Sequence, residues 1–279
     1  MRFDVITLFP DLFTPFLGSG VTRRAFVAAP GEASAKGKAN APKPKLVDVR
    51  LWNPRDFSSG NYRRVDDRPF GGGPGMVMMA QPLADCLAAI REDRAEAEPT
   101  APAVPVVLFS PIGKPLNHAG VEQWSASKGA VLVCGRYEGI DQRFIDAHVD
   151  MQISLGDFVL SGGEVAAMAL LDAVARLQPG VLNDEGSHQL DSFNPALDGL
   201  LDCPHYTRPE EWNGVPVPDT LLSGHHADIE RWRRDRRLQI TAAHRPELVD
   251  SARGAGRLTK ADDAFLSKAL PKLTVKSAA

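Results

Sequence analysis

A two-residue alternation opens the chain. Residues 3–9 are β-branched and aromatic with a single charge, Asp4, and read as a strand, with Pro10-Asp11 behind it as the entry to a short helix. A second strand is expected over residues 45–52. From Pro82 the period lengthens. Leu83, Leu87 and Ile90 fall at three- and four-residue spacing and predict a helix over residues 82–97, ended by the proline-containing stretch 99–105. Strand 106–109, helix 117–127, strand 130–134, helix 141–147, strand 149–154 and helix 163–177 follow. Strands alternating with helices in this way imply an α/β fold, a largely parallel sheet with helices on both faces.

Near residue 180 the pattern changes. Residues 180–195 are rich in Gly, Asn, Asp, Ser and His and read as a long loop or linker, and the chain stays irregular to Gly224. Beyond it, Ser223 is the expected cap of a helix over 227–240, Pro246 the start of a short turn, and Thr259 the cap of a helix over 260–270. The expected organisation is an α/β domain over residues 1–178, a linker over 179–195, and a small, mainly helical domain over 196–279 with a disordered tail. Residues 31–44 are Ala, Lys, Gly and Pro with almost no bulky side chain, and predict a flexible insertion in the first domain.

Composition narrows the classes. With 43% hydrophobic and 24% charged residues the 279-residue chain is ordinary globular material. Its formal charge of −3 means that any nucleic-acid surface must be a local patch. Cys86, Cys134 and Cys203 are scattered and form no CxxC pair, which argues against a disulfide framework or structural zinc. His225, His226 and His244 have no carboxylate or thiol at ligand spacing, so no metal site is expected. No 18 apolar residues run together and the N-terminus has no basic leader before an apolar run, which predicts a cytoplasmic protein without a membrane partner.

The candidate chemistry lies where three strands end. Ser110-Pro111-Ile112-Gly113, Cys134-Gly135-Arg136-Tyr137-Glu138-Gly139 and the stretch 155–164 (LGDFVLSGGE) follow three successive strands. Open parallel sheets bind ligands outside the carboxyl ends of their strands. Glycine there lets backbone groups approach a flat ring closely. Taken singly each cluster can be no more than a tight turn; three together suit a nucleoside. No GxGxxG or GxxxxGK[ST] pattern follows a strand, which argues against dinucleotides and triphosphates. S-adenosylmethionine is one nucleoside without a polyphosphate.

Other segments carry weaker signals. Residues 63–76 (RRVDDRPFGGGPGM) combine arginines with a glycine run and suit phosphate contacts or base stacking, or form a solvated loop. Asp191, in His188-Gln189-Leu190-Asp191-Ser192-Phe193, is either a turn residue or a general base. His205-Tyr206-Thr207-Arg208-Pro209 offers polar and stacking groups, or is a surface turn. Arg231, Arg233, Arg234, Arg236 and Arg237 on a predicted helix, against Asp228, Glu230 and Asp235, make a modest basic patch or a solvated face.

Together these segments resemble the TrmD family of bacterial tRNA (guanine-N1)-methyltransferases. The resemblance rests on DDRPFGGGPGM (66–76), CGRYEGID (134–141), GDFVLSGGE (156–164) and LDCPHYTRP (201–209), and runs in order from Met1 to about Val249, interrupted by 31–44. Each motif is moderately specific; the ordered set is very specific. The resemblance implies a SPOUT fold, whose α/β domain ends in a trefoil knot, an exception to the rule that chains do not thread their own loops. It implies a homodimer with an active site shared between subunits, with tRNA and not DNA as its partner. S-adenosylmethionine is the implied methyl donor, and the family is expected to use magnesium. The implied reaction methylates N1 of the guanine immediately 3′ of the anticodon.

The resemblance also implies site residues. The cofactor is expected in a bent form against Ser110, Pro111, Gly113, Gly135, Tyr137, Glu138, Gly139, Leu155, Gly156, Asp157, Phe158, Val159, Leu160, Gly162 and Gly163. Arg68, Phe70, Gly71, Gly72, Gly73, His205, Tyr206 and Arg208 are the expected tRNA contacts. Guanine N1 is protonated at neutral pH and becomes a nucleophile only when a base removes the proton; the family's aspartate matches Asp191. Its arginine, matching Arg176, stabilises charge on guanine O6. Glu138, by its charge and not by the resemblance, is a candidate to offset the sulfonium charge. Two positions depart from the family: Ile112 stands where glutamine is usual and Phe158 where tyrosine is common. A knotted methyltransferase of ribose 2′-OH groups would not need the Arg176 and Asp191 pair, and a non-catalytic RNA-binding relative predicts degraded glycine loops.

Overall fold

The computed structural model describes residues 1–28, 44–183 and 186–273. The expected insertion at 31–44, apart from Pro44, and the tail beyond 273 lie outside the described residues. The chain divides into two compact units, Met1–Leu182 and Asn183–Ala279.

The first unit runs β1 (Arg2–Ile6), α1 (Phe13–Gly18), α2 (Arg23–Phe26), β2 (Asp48–Trp52), β3 (Asp66–Asp67), β4 (Val77–Met78), α3 (Ala80–Ala97), β5 (Val106–Pro115), α4 (His118–Ser125), β6 (Gly129–Val133), α5 (Gln142–His148), β7 (Met151–Ser154) and α6 (Glu164–Arg176). Five strands pair in the order β2-β1-β6-β5-β7, and every pairing is parallel. Because side chains alternate along a strand, each central strand feeds two cores. Phe3, Val5, Val107, Phe109, Ala130 and Leu132 pack with Leu170, Leu171 and Val174 of α6 on one face. Ile6, Val106, Leu108, Val131 and Val133 pack with Leu83, Leu87 and Ile90 of α3 and Phe144 of α5 on the other. Helices on both faces of a parallel sheet are the architecture that the alternation predicts.

Asp4 is the exception in its strand, a fully buried charge on the α3 face. It accepts hydrogen bonds from Arg2, from Trp52 Nε1 at 2.8 Å and from Arg94 Nε at 2.6 Å, and Arg94 also donates to the Arg2 carbonyl at 2.7 Å. A buried carboxylate persists only with such partners. The cluster ties the end of α3 to the edge of the sheet.

Helix starts follow cap chemistry. Asn117 accepts from Gly120 N at 2.9 Å before α4, and Asp141 accepts from Arg143 N at 3.0 Å before α5. Arg143 lies 2.6 Å from the same carboxylate and, by hydrogen bonding, holds Asp141 down at about 2.

The second unit contains α7 (Gly186–Gln189), the antiparallel pair β8 (Glu211–Trp212) and β9 (Val215–Pro216), and then α8 (Asp219–Leu222), α9 (His226–His244), α10 (Pro246–Gly254) and α11 (Lys260–Leu273). Leu200, Leu238, Val249, Ala252 and Leu266 form its core. Three expectations change here. Ser223 does not cap α9: His225 stands at its N-cap, and Ser223 Oγ donates to Thr220 O at 2.8 Å. Pro246 opens a nine-residue helix rather than a turn, since proline is well placed at a first helical position. The stretch up to Gly224 holds a short hairpin and a helical turn. Thr259 does cap α11, in a reciprocal box in which Asp262 N donates to Thr259 Oγ1 at 3.2 Å and Thr259 N donates to Asp262 Oδ2 at 2.9 Å.

Candidate active site

The ends of β5, β6 and β7 shape a single basin. β5 does not stop at Phe109 as expected: its register against β7 slips, with Phe109 and Lys114 both opposite Ile153, so that residues 110–113 bulge out of a continuing strand. A Cβ on Gly113 would lie 2.5 Å from Ile153 N, so only glycine lets the bulge return this close to β7. Behind β6, Gly163 N donates to Gly135 O at 3.0 Å, and a Cβ on Gly163 would stand 2.7 Å from Cys134 Cα. The loop after β6 and the loop after β7 are therefore pressed together at their glycines.

Between them is a pocket of about 380 Å³, within the range of small-molecule sites. Of the expected cofactor residues, Ser110, Pro111, Gly135, Tyr137, Glu138, Gly139, Leu155, Phe158, Val159, Leu160, Gly162 and Gly163 line it. Gly113, Gly156 and Asp157 do not; Gly113 shapes the bulge, and Gly156, at φ +148°, turns the chain. Leu108, Ile140 and Ile153 supply apolar walls, and Arg136, Gln142, Gln152 and Ser161 supply polar ones. Arg136 and Ser161 lie inside the candidate loops, but sequence reading passed over Leu108, Ile140, Gln142, Gln152 and Ile153. Leu108 and Ile153 looked like core strand positions, and only the ends of their strands open into the pocket.

The loop after β6 is also zipped to the glycine-rich segment 63–76. Glu138 N donates to Met76 O at 3.0 Å, Met78 N to Gly139 O at 2.8 Å and Asp141 N to Met78 O at 3.0 Å. Tyr137, at φ +59°, is held above the usual tyrosine range by burial and by its hydrogen bond with Asp66. Beyond this tether Arg68 and Phe70 are exposed, Phe70 completely, and Gly71, Gly72 and Gly73 all take positive φ. None of these five lines the pocket.

Arg176 is not brought to the pocket within its own chain. It is the last residue of α6, whereas Gly163 and Ala166 at the first turn touch the pocket. At 1.5 Å rise per residue the two ends lie about 18 Å apart.

In the second unit Asp191 sits half-buried in a turn that is closed by its own bonds. Asn194 N donates to Asp191 O at 3.2 Å, Asn194 Nδ2 to His188 O at 3.0 Å and Phe193 N to Leu200 O at 2.9 Å. His205 is exposed with a ring nitrogen 2.9 Å from Asp202 Oδ2; Arg208 is exposed, and Tyr206 packs edge-on against Trp232 at 6.2 Å.

The expected basic patch on α9 is largely neutralised. Arg231 pairs with Asp235 and Asp262, Arg233 with Glu230, Arg234 with Asp198 at 2.7 Å and Asp262 at 3.1 Å, and Arg237 with Asp202 at 3.3 Å. The sequence count omitted Asp198, Asp202 and Asp262, which reach the helix from elsewhere in the unit. These arginines act as staples.

Thiol and metal chemistry find little support. Burial pushes Cys86 up to about 12 and raises Cys134 and Cys203, which keeps all three protonated. Among the described residues no three His, Cys, Asp or Glu side chains converge on a metal-sized point, and Glu138 is the one carboxylate lining the pocket. That donor set does not form a magnesium cage of its own, and no step below runs through a metal. No described helix is long and apolar enough to cross a membrane.

Residues 1–251 match the family described as tRNA (Guanine-1)-methyltransferase TrmD. The chain belongs to this family. Among curated relatives, the tRNA (guanine-N(1)-)-methyltransferase of Paracidovorax citrulli is 71% identical over 96% of this chain and 98% of its own length. That of Polaromonas sp. is also 71% identical, over 96% of each chain. That of Bordetella pertussis is 55% identical over 96% of this chain and 97% of its own. Membership in the TrmD family makes the chain an enzyme that methylates N1 of a tRNA guanine.

Proposed function

We propose that this TrmD-family chain transfers the methyl group of S-adenosylmethionine to N1 of the guanine immediately 3′ of the tRNA anticodon, as a homodimer in the cytoplasm. The pocket between residues 110–113, 135–139 and 155–163 receives the donor. Its backbone groups and apolar walls suit a nucleoside, and its loops carry neither the GxGxxG nor the GxxxxGK[ST] pattern of a polyphosphate site. Bound there, the donor supplies an electrophilic methyl on a sulfonium. Glu138, the pocket's carboxylate, offsets that positive charge. We infer that the three loops, two of them pressed together at Gly135 and Gly163, belong to a trefoil knot.

Asp191 takes the N1 proton, which turns a protonated ring nitrogen into a nucleophile. Arg176 stabilises the negative charge that then develops on O6. Arg68, Phe70, Gly71, Gly72, Gly73, His205, Tyr206 and Arg208 hold the tRNA, with exposed Phe70 and Tyr206 as stacking surfaces.

The observation that carries the two-subunit reading is the position of Arg176, at the far end of the helix whose first turn lines the pocket. A second copy can present its own Arg176 to the pocket where the first cannot. Ile112, Phe158 and Val159 support this: they line the pocket, yet are 82%, 56% and 83% exposed in the single chain. Apolar side chains left in the open suit a protein interface.

The test supplies labelled S-adenosylmethionine and unmodified tRNA carrying guanine 3′ of the anticodon. The expected product is 1-methylguanine at that position, lost when the guanine is replaced. Label on a ribose 2′-OH, or no transfer, would overturn the proposal.

A further inference from the structure

Beneath the pocket lies a buried ion pair to which the reaction above assigns no role. Glu164, the first residue of α6, is 1% exposed. Its Oε1 accepts a hydrogen bond from Thr7 Oγ1 at 2.9 Å, just past the end of β1. Its Oε2 lies 2.9 Å from Arg136 Nε, but off the N–H axis, so the contact is ionic rather than an aligned hydrogen bond. Arg136 itself lines the pocket. Its Nη1 donates to Ser161 O at 3.2 Å, and its guanidinium lies 4.4 Å from the centre of the Phe9 ring. Gly162 sits against this side chain so closely that any Cβ there would collide with it.

One side chain therefore joins three segments: the end of β1 through Phe9 and Glu164, the loop after β6 from which it springs, and the loop after β7 through Ser161. The last two form facing walls of the pocket. A buried ion pair is a poor source of stability, because desolvation cancels most of the attraction. What it fixes is geometry, since leaving either charge alone in the interior is costly. Glycine at 162 gives the arginine its passage, and serine at 161 offers a carbonyl that any residue would have.

We propose that Arg136, held by Glu164, is a positioning residue of the S-adenosylmethionine pocket, setting the separation of the loops at 135–139 and 155–163. This rests on the reading of the pocket as the cofactor site.

The test titrates S-adenosylmethionine calorimetrically into the full-length unaltered protein, Glu164→Gln, Arg136→Lys, Arg136→Met and the double variant Arg136→Met/Glu164→Gln, with steady-state kinetics in parallel. Glu164→Gln keeps the shape and the Thr7 contact and removes only the charge. It is expected to weaken cofactor binding about tenfold, and to raise KM for the cofactor by as much while kcat falls less than about threefold. KM for tRNA should move less than about twofold. Arg136→Lys, which keeps the charge, should recover part of the loss seen in Arg136→Met. The double variant should be no worse than Arg136→Met alone, because both changes remove one interaction.

Cofactor affinity within about twofold of the unaltered protein in Glu164→Gln would overturn the proposal, as would additive losses in the double variant. Should Glu164→Gln fail to fold, Arg136→Lys against Arg136→Met decides alone, and equal affinities there overturn it. If the unaltered protein binds no S-adenosylmethionine, the reading of the pocket itself fails.

Discussion

The carboxyl ends of β5, β6 and β7 and the arginine-rich helix α9 are the two regions where the sequence pointed most openly to a ligand, and they differ in kind. At the strand ends the signal was an absence of side chains. There the glycines allow backbone to meet backbone, at Gly163 against Cys134 and at Gly113 against Ile153, and leave a pocket between the loops. On α9 the signal was an excess of charge. There four of five arginines turn toward carboxylates of their own unit, Asp198, Asp202 and Asp262 among them. Charge counted along a chain is not charge offered to a partner, because distant acids are invisible to the count.

The proposed function puts binding in the glycine loops and chemistry in residues outside them, and four substitutions can break or sharpen the comparison. The largest effect is expected from Asp191→Asn. Methyl transfer at saturating substrates should fall about 10²- to 10⁴-fold, with calorimetric affinity for S-adenosylmethionine retained. If affinity fell in parallel with rate, binding and chemistry would not be separable as described.

Gly163→Ala should come next. Its Cβ would lie 2.7 Å from Cys134 Cα, where backbone faces backbone and neither side can yield cheaply. A loss of about 2 kcal/mol in stability is expected, read by denaturant unfolding, together with weaker cofactor binding. An alanine variant of full affinity and stability would show that the close approach of the two loops does not shape the pocket.

The smallest effects separate staples from phosphate contacts on α9. Arg234→Ala withdraws a partner from Asp262, whose side chain is 2% exposed, and should cost about 2 kcal/mol of stability. Arg233→Ala breaks an exposed pair with Glu230 and should cost less than about 0.5 kcal/mol. Neither should change the salt dependence of tRNA binding; a slope reduced by about one per arginine would mark them as phosphate contacts after all.

Much of the first unit was legible because its signals are local. Residues 3–9 and 106–109 show strand chemistry, Leu83, Leu87 and Ile90 a helix stripe, and Asn117 and Asp141, like Thr259 in the second unit, act through neighbours two or three positions away. The glycine loops were legible for the same reason. Asp4, Arg136 and Glu164 were not, since each matters through a partner far along the chain: Arg94 for Asp4, Thr7 for Glu164, and Ser161 for Arg136. Pro246 was read as a turn because proline starts helices and breaks them, and the choice depends on Val249 and Ala252 finding the core of the second unit.

By itself, then, the sequence determined the alternation of strands and helices, the parallel sheet they form, and the glycine motifs that place the chain in its family. These follow from period, cap and turn chemistry, which act over a few residues. Tertiary structure decided the continuation of β5 past its bulge, the pairing of the α9 arginines, the buried ion pair beneath the pocket, and the distance of Arg176 from that pocket. Each depends on which distant residues share a low-dielectric interior or the two ends of one rigid helix, and no short-range pattern records that.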